Sequence, residues 1–512
     1  MKKIIYTLFL FPFFLVAQNI DVADNATLLI DTGATMTVSG TLTSNTSGSI
    51  IIATSRTTSG SLLATNAGNS QGKGITLRRS LDGSNEWTLI GVPVTGETST
   101  DIDDNLRTSG AKSAIGHWDP GSGANGAYVY FNTDSGTALT SGRGYLISPS
   151  ASGNVDLTGP MSWATTTYAL EDESGTHGNW NLIGNPFPTY VHMTNDAADA
   201  TNNFLTVNTA ALHDDYQAVY AWDGSEWDVY NQATDNINYI APGEGFFVYS
   251  VDGGATVSFT DDMITSGRGV NFNASIARGT SSKAQKRVSV FKLELKDNIK
   301  EETDIIKLYF SNEQEVSKGL DPGYDAGKFF EGSDSRIFTR LVEEDKGTDF
   351  HIQALPYNDL KDVVVPLGIT TKSSSLMLSV VENSIDHLYS IYLEDKLNNT
   401  IVELDQTIDL DFVDNNSNGL GRFYLHFTKG MIPELPTDGD DFRIYKVSES
   451  EIRLMGSPET IYNAKIYDFS GRLTKEVNFT HKVNINEIDS KGIKILTIES
   501  NDKKIIKKFD IK

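Results

Sequence analysis

Two Asp-x-Gly strings contain the residue types of an aspartic-protease active site. Asp31-Thr32-Gly33 follows an apolar run, and Asp134-Ser135-Gly136 offers a second carboxylate. Such chemistry needs two carboxylates about 3 Å apart that share one proton, and hence two matched lobes. The two strings belong to no mutual repeat, and Asp, Ser and Gly are ordinary turn residues. We therefore predict turns at both places and no proteolytic site.

Other catalytic patterns are absent or misplaced. The nucleophile-elbow string at 68–72 lacks the apolar strand and the helix that must flank it. The eight His show no zinc-protease spacing, no Gly-rich phosphate loop opens a helix, and sequence cannot select a glycosidase carboxylate pair. The sequence thus predicts a non-enzymatic protein with no catalytic residues and no cofactor; an uncharacterised hydrolase is the weakest alternative.

A calcium loop is the one metal site that the sequence suggests. Asp414, Asn416 and Asn418 place side-chain oxygens at alternate positions, and Gly419 supplies a sharp turn. The twelfth position of such a loop is a bidentate Glu, and here it is Leu425. A polar hairpin loop explains the same residues, so Ca²⁺ remains a hypothesis to be tested.

Tryptophan is confined to one part of the chain. All six Trp residues lie within residues 67–265. Four recur at equivalent positions of a repeat beside apolar strands, as a repeated core requires; they are Trp87, Trp118, Trp180 and Trp222. Trp163 and Trp227 have no counterpart, and we therefore assign these two as candidate carbohydrate-binding residues.

Short alternating apolar runs bounded by Gly, Asn, Asp and Ser recur throughout the chain. Long stretches with helical spacing are almost absent, so the chain is predicted to be all-β. Residues 18–66 consist of β-prone runs at near-regular spacing, which is typical of two or three rungs of a β-solenoid. Because so short a stack cannot bury its own ends, we expect it to cap or extend the next domain.

Residues 67–265 contain a tandem duplication of a β-rich module, with repeats at about 70–160 and 161–265. Three landmarks occur twice in the same order. They are WTLIGVP at 87–93 and WNLIGNP at 180–186, HWD at 117–119 and AWD at 221–223, and GRGYLI at 142–147 and GEGFFV at 243–248. The offset between the copies varies, so loop lengths differ while the order is kept.

The remaining chain is predicted to form two further β-domains. Residues 285–430 contain seven strand-like runs separated by turn signals, which is typical of a β-sandwich. Residues 431–441 hold two Pro and four acidic residues and are predicted to be a linker. Residues 442–512 are predicted to form a small Ig-like β-domain.

The N-terminal residues 1–17 have the pattern of a removable signal peptide. Lys2 and Lys3 precede an apolar run that ends at Ala17, and the run is shorter than the ~20 residues of a membrane-spanning helix. No transmembrane segment is predicted elsewhere. The net charge of −25 disfavours nucleic acid as a partner, and the absence of Cys excludes disulfides, thiolate metal sites and a lipid-bearing cysteine.

The C-terminal domain resembles the sorting domains of type IX secretion cargo. The resemblance rests on the strand at 465–468, the turn at 470–473, the strand at 492–498 and a Lys-rich final strand. It implies an Ig-like sandwich in which Gly471 takes a positive-φ turn position. The implied sorting signal comprises Asp468, Gly471, Arg472, Gly492, Lys507 and Lys508. The commonest subtype has a Tyr where this chain has Lys494.

These features predict an exported, non-enzymatic protein of the cell exterior. The general export machinery and then type IX secretion would deliver it to the cell surface or the medium, where it would act as an adhesin-like or structural component. A carbohydrate-binding surface protein is the alternative, in which residues 67–265 bind a defined extracellular glycan or surface polymer.

Overall fold

A computed structural model describes most of the chain. The described residues are 15–17, 19–44, 49–64, 75–81, 83, 86–173, 175, 177–195, 201–224, 226–234, 239–266, 271–272, 288–312, 316–331, 334–397, 400–404, 408–411, 419–429, 442–448, 451–456, 461–480, 482–485, 492–500 and 503–511. Strands account for 56% and helices for 6%, which confirms the predicted all-β class. No helix among these residues is long and apolar enough to cross a membrane.

Helices in the described chain are single turns. The α-helices are α1 (Ser99–Ile102) and α2 (Phe204–Val207), and the 3₁₀ turns are Asp103–Asn105, Thr209–Ala211, Asp214–Tyr216 and Tyr357–Lys361. Both α-helices begin after polar residues. Asn203 caps α2 by accepting a hydrogen bond from the Thr206 amide, which satisfies one of the free donors at a helix start.

Parallel strands build the N-terminal segment. They are β1 (Leu15–Ala17), β2 (Ile20–Val22), β3 (Thr27–Ile30), β4 (Thr35–Val38), β5 (Leu42–Ser44), β6 (Ser49–Thr54), β7 (Ser61–Ala64) and β8 (Ile75–Leu81). Three parallel ladders, β1-β4-β7, β2-β5 and β3-β6-β8, form three faces of a coil. This is the pairing of a β-solenoid with between two and three rungs. Of the predicted signal peptide, 1–14 lie outside the described residues.

The two repeats fold in the same way. Repeat 1 contains β9 (Thr88–Gly91), β10 (Thr108–Ser109), β11 (Lys112–Asp119), β12 (Ala127–Asn132), β13 (Gly144–Ile147) and β14 (Gly153–Thr158). Repeat 2 contains β15 (Thr166–Leu170), β16 (Trp180–Gly184), β17 (Tyr190–His192), β18 (Val219–Trp222), β19 (Trp227–Tyr230), β20 (Tyr239–Ile240), β21 (Gly245–Tyr249), β22 (Ala255–Phe259) and β23 (Ile264–Thr265).

Equivalent strands pair in the same order in both repeats. The orders are β9-β13-β11-β12 and β16-β21-β18-β19. The registers also correspond, because Gly91 lies opposite Gly144 in repeat 1 and Gly184 lies opposite Gly245 in repeat 2. A second ladder joins β8 to β14 and its equivalent joins β15 to β22. Since β8 also belongs to the solenoid, repeat 1 continues the solenoid sheet.

Residues 285–430, called the third region below, form one continuous sheet that has eleven strands among the described residues. Its strands are β24 (Ser289–Asp297), β25 (Thr303–Ser311), β26 (Ala326–Gly327), β27 (Arg336–Thr339), β28 (Phe350–Pro356), β29 (Asp362–Thr370), β30 (Ser375–Asn383), β31 (Tyr389–Asp395), β32 (Thr400–Glu403), β33 (Ile408–Asp411) and β34 (Gly419–Lys429). The strict alternation in β24 buries every second side chain. The sheet closes over its own core, where Phe291 and Phe310 contact Phe427.

The C-terminal residues form two sheets around a separate core. One has β35 (Phe442–Ser448), β36 (Glu451–Gly456) and β39 (Lys482–Ile485), and the other has β37 (Ile461–Asp468), β38 (Leu473–Thr480), β40 (Gly492–Ser500) and β41 (Lys503–Ile511). Leu454, Ile466 and Leu496 are fully buried between them. Sheets of three and four antiparallel strands are the layers of an Ig-like sandwich.

Candidate functional site

The two repeats contact each other around an approximate two-fold axis. The Gly91 amide donates to the Gly243 carbonyl at 2.9 Å, and the equivalent Gly184 amide donates to the Gly142 carbonyl at 3.0 Å. The equivalent strands β9 and β16 also each form a bridge to the other repeat, from Ile90 to Glu244 and from Ile183 to Arg143. These contacts exchange equivalent residues, so the repeats pack as an internal pseudo-dimer.

Glycine at the landmark positions permits this close approach. A Cβ at Gly184 would lie 2.4 Å from the Gly91 Cα, and a Cβ at Gly91 would lie 2.7 Å from the Glu244 carbonyl oxygen. Gly144 and Gly245 face the other repeat's backbone at similar distances. The recurring Gly residues are therefore required by backbone packing between the repeats, a role that the sequence had not revealed.

The pseudo-symmetry is broken at one pair of equivalent residues. Arg143 stands in repeat 1 where Glu244 stands in repeat 2. Glu244 forms an ion pair of 2.9 Å with Arg79 of β8, and both side chains are only 3% exposed. Burial raises the pKa of Glu244, and the Arg79 charge and hydrogen bond partly offset that rise. A buried Arg79–Glu244 ion pair therefore lies on the repeat 2 side of the symmetry axis, without an equivalent at Arg143.

A cleft lies beside this ion pair. The cleft is small, with a volume of about 10 Å³, room for about one water molecule, and its lining residues are Arg56, Arg79, Ser80, Leu81, Glu86, Thr88, Pro149 and Gly224. They come from the solenoid, from β8 and from both repeats. The cleft is thus a junction between three parts of the chain, and no single segment of sequence defines it.

Arg79 has unused hydrogen-bonding capacity at the cleft. Its Nη1 donates to Glu244, whereas Nε and Nη2 are buried and have no hydrogen-bond partner among the described residues. Leaving such buried donors unpaired costs about 1–3 kcal/mol each, and more for a charged group. A buried arginine with two unpaired donors is therefore among the residues that line the cleft.

The prediction that the four recurring tryptophans are core residues is confirmed for Trp118 and Trp180, and only in part for Trp87 and Trp222. Trp118 and Trp180 are 5% and 2% exposed, and Trp87 and Trp222 are half-buried. They join an aromatic cluster that also includes Phe329 of the third region. Trp222 Nε1, at the end of β18, donates at 3.0 Å to the carbonyl of Trp87, the residue before β9, and this bond holds the two segments against each other next to the cleft.

The carbohydrate assignment is wrong for Trp163. Its side chain is 1% exposed, and its Nε1 donates to the Leu62 carbonyl at 2.8 Å. A ring buried in this way cannot stack on a sugar. Trp227 is half-buried, opposite Trp222 in the β18–β19 hairpin and 4.2 Å from Phe329 between ring centroids. Trp227 therefore keeps part of its surface available.

The structure describes some of the remaining predicted sites and not others. Asp414, Asn416 and Asn418 of the calcium hypothesis lie outside the described residues, as does the string at 68–72. Asp31 lies in a turn, where its carboxylate accepts a hydrogen bond from the Thr32 amide, and Gly136 after Asp134 has a φ of +53°. Both turn predictions are confirmed. No group of three or more His, Asp or Glu in the described chain is placed to hold a metal ion.

The turn after β37 is organised by Asp468. Its Oδ1 accepts hydrogen bonds from the Ser470 hydroxyl at 2.6 Å and from the Arg472 amide at 3.0 Å. These bonds, the Ser470 hydroxyl first, lower the pKa of Asp468 to about 2. Gly471 has a φ of +84°, which confirms its predicted positive-φ turn position.

The other residues of the predicted sorting signal lie on β40 and β41. Gly492 begins β40 with a φ of +111°. Lys507 lies opposite Leu496, and Lys508 lies opposite Ile495 with its side chain exposed. Lys494, at the position of the subtype's Tyr, is 1% exposed and lies opposite Asp468. The structure therefore brings Lys494 and the Asp468 turn together at one end of the sheet.

A second charged cluster lies between repeat 2 and the third region. Asp228 pairs with Lys307, and Lys328 pairs with Asp304 at 2.8 Å and contacts His351 Nδ1 at 3.3 Å. Burial and then the Lys328 charge keep the pKa of His351 well below its ordinary value. Each cation here has a carboxylate partner, so this cluster serves to join the two regions.

The fold and the cleft define an all-β protein in which a solenoid, an internal pseudo-dimer and an eleven-stranded sheet precede a separate sandwich. The chain belongs to the family described as a domain of unknown function (DUF8693), which matches residues 13–427. That range includes the cleft and stops before the C-terminal sandwich. No curated protein matches the chain.

Proposed function

We propose that the chain is an exported, non-enzymatic protein of the cell surface, adhesin-like or structural, that type IX secretion delivers after general export. The Asp468 turn carries this proposal, because it presents a hydrogen-bonded, exposed loop at one end of a separate small sandwich. The family match ends at residue 427, before that sandwich. A unit appended to a larger family domain is what a sorting module requires.

Deletion of residues 440–512 tests the proposal. We expect the truncated protein to be absent from the cell surface and the medium and to accumulate inside the cell envelope. Because all six Trp residues lie upstream, their fluorescence will report whether the truncated chain is folded. A folded truncated protein that still reaches the surface would contradict the sorting role.

Point variants sharpen this experiment. Asp468→Ala removes the acceptor that holds the turn, and Arg472→Ala removes a side chain that is 79% exposed, so neither should disturb the upstream core. We expect both to reduce surface delivery. Lys346→Ala, which removes an exposed cation from the third region, is the control and should be delivered normally.

Glycan binding is the second candidate function, and the half-buried rings of Trp87, Trp222 and Trp227 favour it, because each keeps part of its surface accessible. Charged and hydroxyl-bearing side chains line the small cleft nearby. Sugars are commonly bound by a combination of aromatic surface and polar hydrogen-bonding groups. The three Trp residues also lie within the duplicated module, residues 67–265, to which the sequence assigned glycan binding.

Tryptophan fluorescence provides the test of glycan binding. We expect one or more members of a panel of neutral and acidic oligosaccharides to shift the emission of the full mature chain. Trp222→Phe should diminish the response, whereas Trp163→Phe should retain it because Trp163 is buried away from solvent. A flat response to the whole panel would remove glycan binding as a function.

A further inference from the structure

Exposed apolar side chains concentrate in the C-terminal sandwich. Among the described residues thirteen large apolar side chains are exposed, and five of them lie in residues 442–512. The solvent side of an antiparallel sheet is normally polar, because its side chains alternate between core and solvent. Apolar side chains grouped on such a side mark an interaction surface. The four-stranded sheet of this sandwich shows such a group on its outer face, the face that points away from the core.

Strand register places these apolar side chains next to one another. Tyr467 and Ile495 lie opposite each other on β37 and β40, at positions that alternate with buried ones, so both point outward. Leu473 of β38 lies opposite Tyr467 and is 44% exposed. Ile493 of β40 is 41% exposed, and Ile506 of β41, diagonal to Ile495, is 62% exposed. These five side chains, the apolar stripe, cross all four strands of the sheet.

Phe469 extends the apolar stripe beyond the end of the sheet. It lies in the Asp468 turn, and its side chain is 82% exposed. Hydrogen bonds to Asp468 hold this turn, so little backbone freedom is left to lose when the ring is covered. A large aromatic side chain presented in this way is typical of a residue that contributes strongly to an interface.

Charged pairs border the apolar stripe on one side. Lys465 Nζ lies 3.4 Å from Glu476 Oε1, and Lys504 Nζ lies 2.6 Å from Glu499 Oε1. The four side chains are between 29% and 56% exposed. Ion pairs so exposed are weak, so the carboxylates of a partner can replace Glu476 and Glu499. An apolar centre with a polar rim is the usual anatomy of a protein–protein interface.

The charge of the sandwich selects the kind of partner. Residues 442–512 contain 14 Lys and Arg against 10 Asp and Glu, a net charge of +4, whereas the rest of the chain carries −29. Pairing of this face with the same face of a second copy would therefore bring like charges together. Anionic lipids attract clusters of unpaired Lys and Arg, but Lys465 and Lys504 each have a carboxylate partner on the same face. An acidic protein surface with an apolar centre complements both the stripe and its rim.

We propose that the outer face of this sheet docks onto a folded protein of the secretion machinery whose own surface has an apolar centre and an acidic rim. The apolar stripe and Phe469 contact the centre, and Lys465 and Lys504 exchange their internal carboxylates for those of the partner. The inference rests on the sorting role proposed above and gives that role a contact surface. No residue of the apolar stripe belongs to the predicted sorting signal, so substitutions in the stripe leave that signal intact.

Delivery of the full chain to the cell surface tests the docking surface. Ile493→Glu and Ile506→Glu each place a carboxylate on the apolar stripe, and we expect each to lower the delivered fraction about tenfold. Both side chains are exposed, so the sandwich should stay folded, and thermal unfolding of the purified mature variants by circular dichroism checks this. Ile299→Glu is the matched control, because Ile299 is 65% exposed and lies in the third region. It should be delivered normally.

Charge variants test the acidic rim of the partner. Lys504→Glu reverses a charge at the border of the stripe and should lower delivery, because it meets the partner's carboxylates with a like charge. Glu499→Gln breaks the same ion pair but leaves Lys504 free for the partner, so it should not lower delivery. Since both variants lose the pair, a difference between them reports the partner. Equal delivery of the two variants would overturn the acidic rim.

The outcomes separate the docking surface from the sorting role on which it rests. Normal delivery of both isoleucine variants, while the chain without residues 440–512 stays in the cell, would overturn the docking surface and leave the sorting role intact. Normal delivery of the shortened chain would remove both. Sedimentation of the mature chain with phosphatidylglycerol vesicles, lost in Ile506→Glu, would replace the protein partner with a lipid surface. Dimers of the mature chain that Ile506→Glu dissociates would assign the face to a second copy.

Discussion

Gly184→Ala is expected to destabilise the duplicated module by about 3 kcal/mol, the upper end of the usual cost of overpacking. The added methyl would lie 2.4 Å from the Gly91 Cα. The Gly91 Cα is a backbone atom of β9, which is held by β13, and residue 184 lies in β16, which is held by β21, so neither can move aside as a flexible side chain would. The strain must be relieved by separating the two repeats at their pseudo-two-fold axis.

Urea unfolding followed by tryptophan fluorescence measures this effect, because all six Trp residues report on this part of the chain. Gly153→Ala on β14 is the matched control, since a Cβ there meets nothing within 4 Å. The control should leave the midpoint unchanged. A Gly184→Ala protein as stable as Gly153→Ala would show that the repeats do not approach each other through these glycines.

The duplication was readable from sequence because both copies keep the same bulky and glycine landmarks. The Trp and Gly positions recur in order while loops vary in length, and the strand order of the two sheets follows this pattern. The pseudo-two-fold contact was not readable, since Gly91 and Gly184 are far apart in sequence and touch only after both sheets form. Their recurrence at equivalent positions was the available signal.

Trp163 shows why the absence of a repeat counterpart is a poor guide to exposure. The junction between the solenoid and the duplicated module occurs once in the molecule, so a residue that fills it has no equivalent in the other repeat. Trp163 fills that junction and bonds to Leu62 of β7. A large aromatic without a counterpart can therefore be a core residue of an interface that is itself not repeated.

The cleft was missed because its residues come from separate segments, although β8 contained a clue. Ile75, Leu77 and Leu81 alternate on one face of that strand, and Arg79 occupies the same face. Period-2 alternation places all four side chains inward. An Arg among buried apolar residues requires a buried acidic partner, but the identity of that partner, Glu244, depends on the packing of repeat 2.

Arg79→Ala is expected to destabilise the chain by about 3–5 kcal/mol, because it leaves the Glu244 carboxylate buried without its partner. Arg78→Ala on the same strand is the matched control. Arg78 makes a two-point hydrogen bond to Asp156, at 2.8 and 2.7 Å, but both side chains are more than one-third exposed. Removal of this pair should therefore cost about 1 kcal/mol or less.

The loss of folding stability in the Arg79→Ala variant should depend on pH. Burial raises the pKa of Glu244 even beside Arg79, and removing the cation will raise it further. A carboxyl whose folded pKa exceeds its unfolded value holds its proton longer in the folded state, so stability falls as pH rises between those two values. Unfolding free energies measured in urea should therefore show a larger deficit for Arg79→Ala at pH 8 than at pH 5.

The double variant Arg79→Met, Glu244→Leu shows whether Arg79→Ala is unstable because Glu244 has lost its charge partner or because packing is lost. Removing both charges should recover most of the stability and abolish the added pH dependence, because no carboxylate is then left buried alone. The opposite result would be a loss of stability in Arg79→Ala that is equal at both pH values and that the double variant does not repair. It would mean that Arg79 stabilises the junction through packing and that Glu244 is not the group left unpaired.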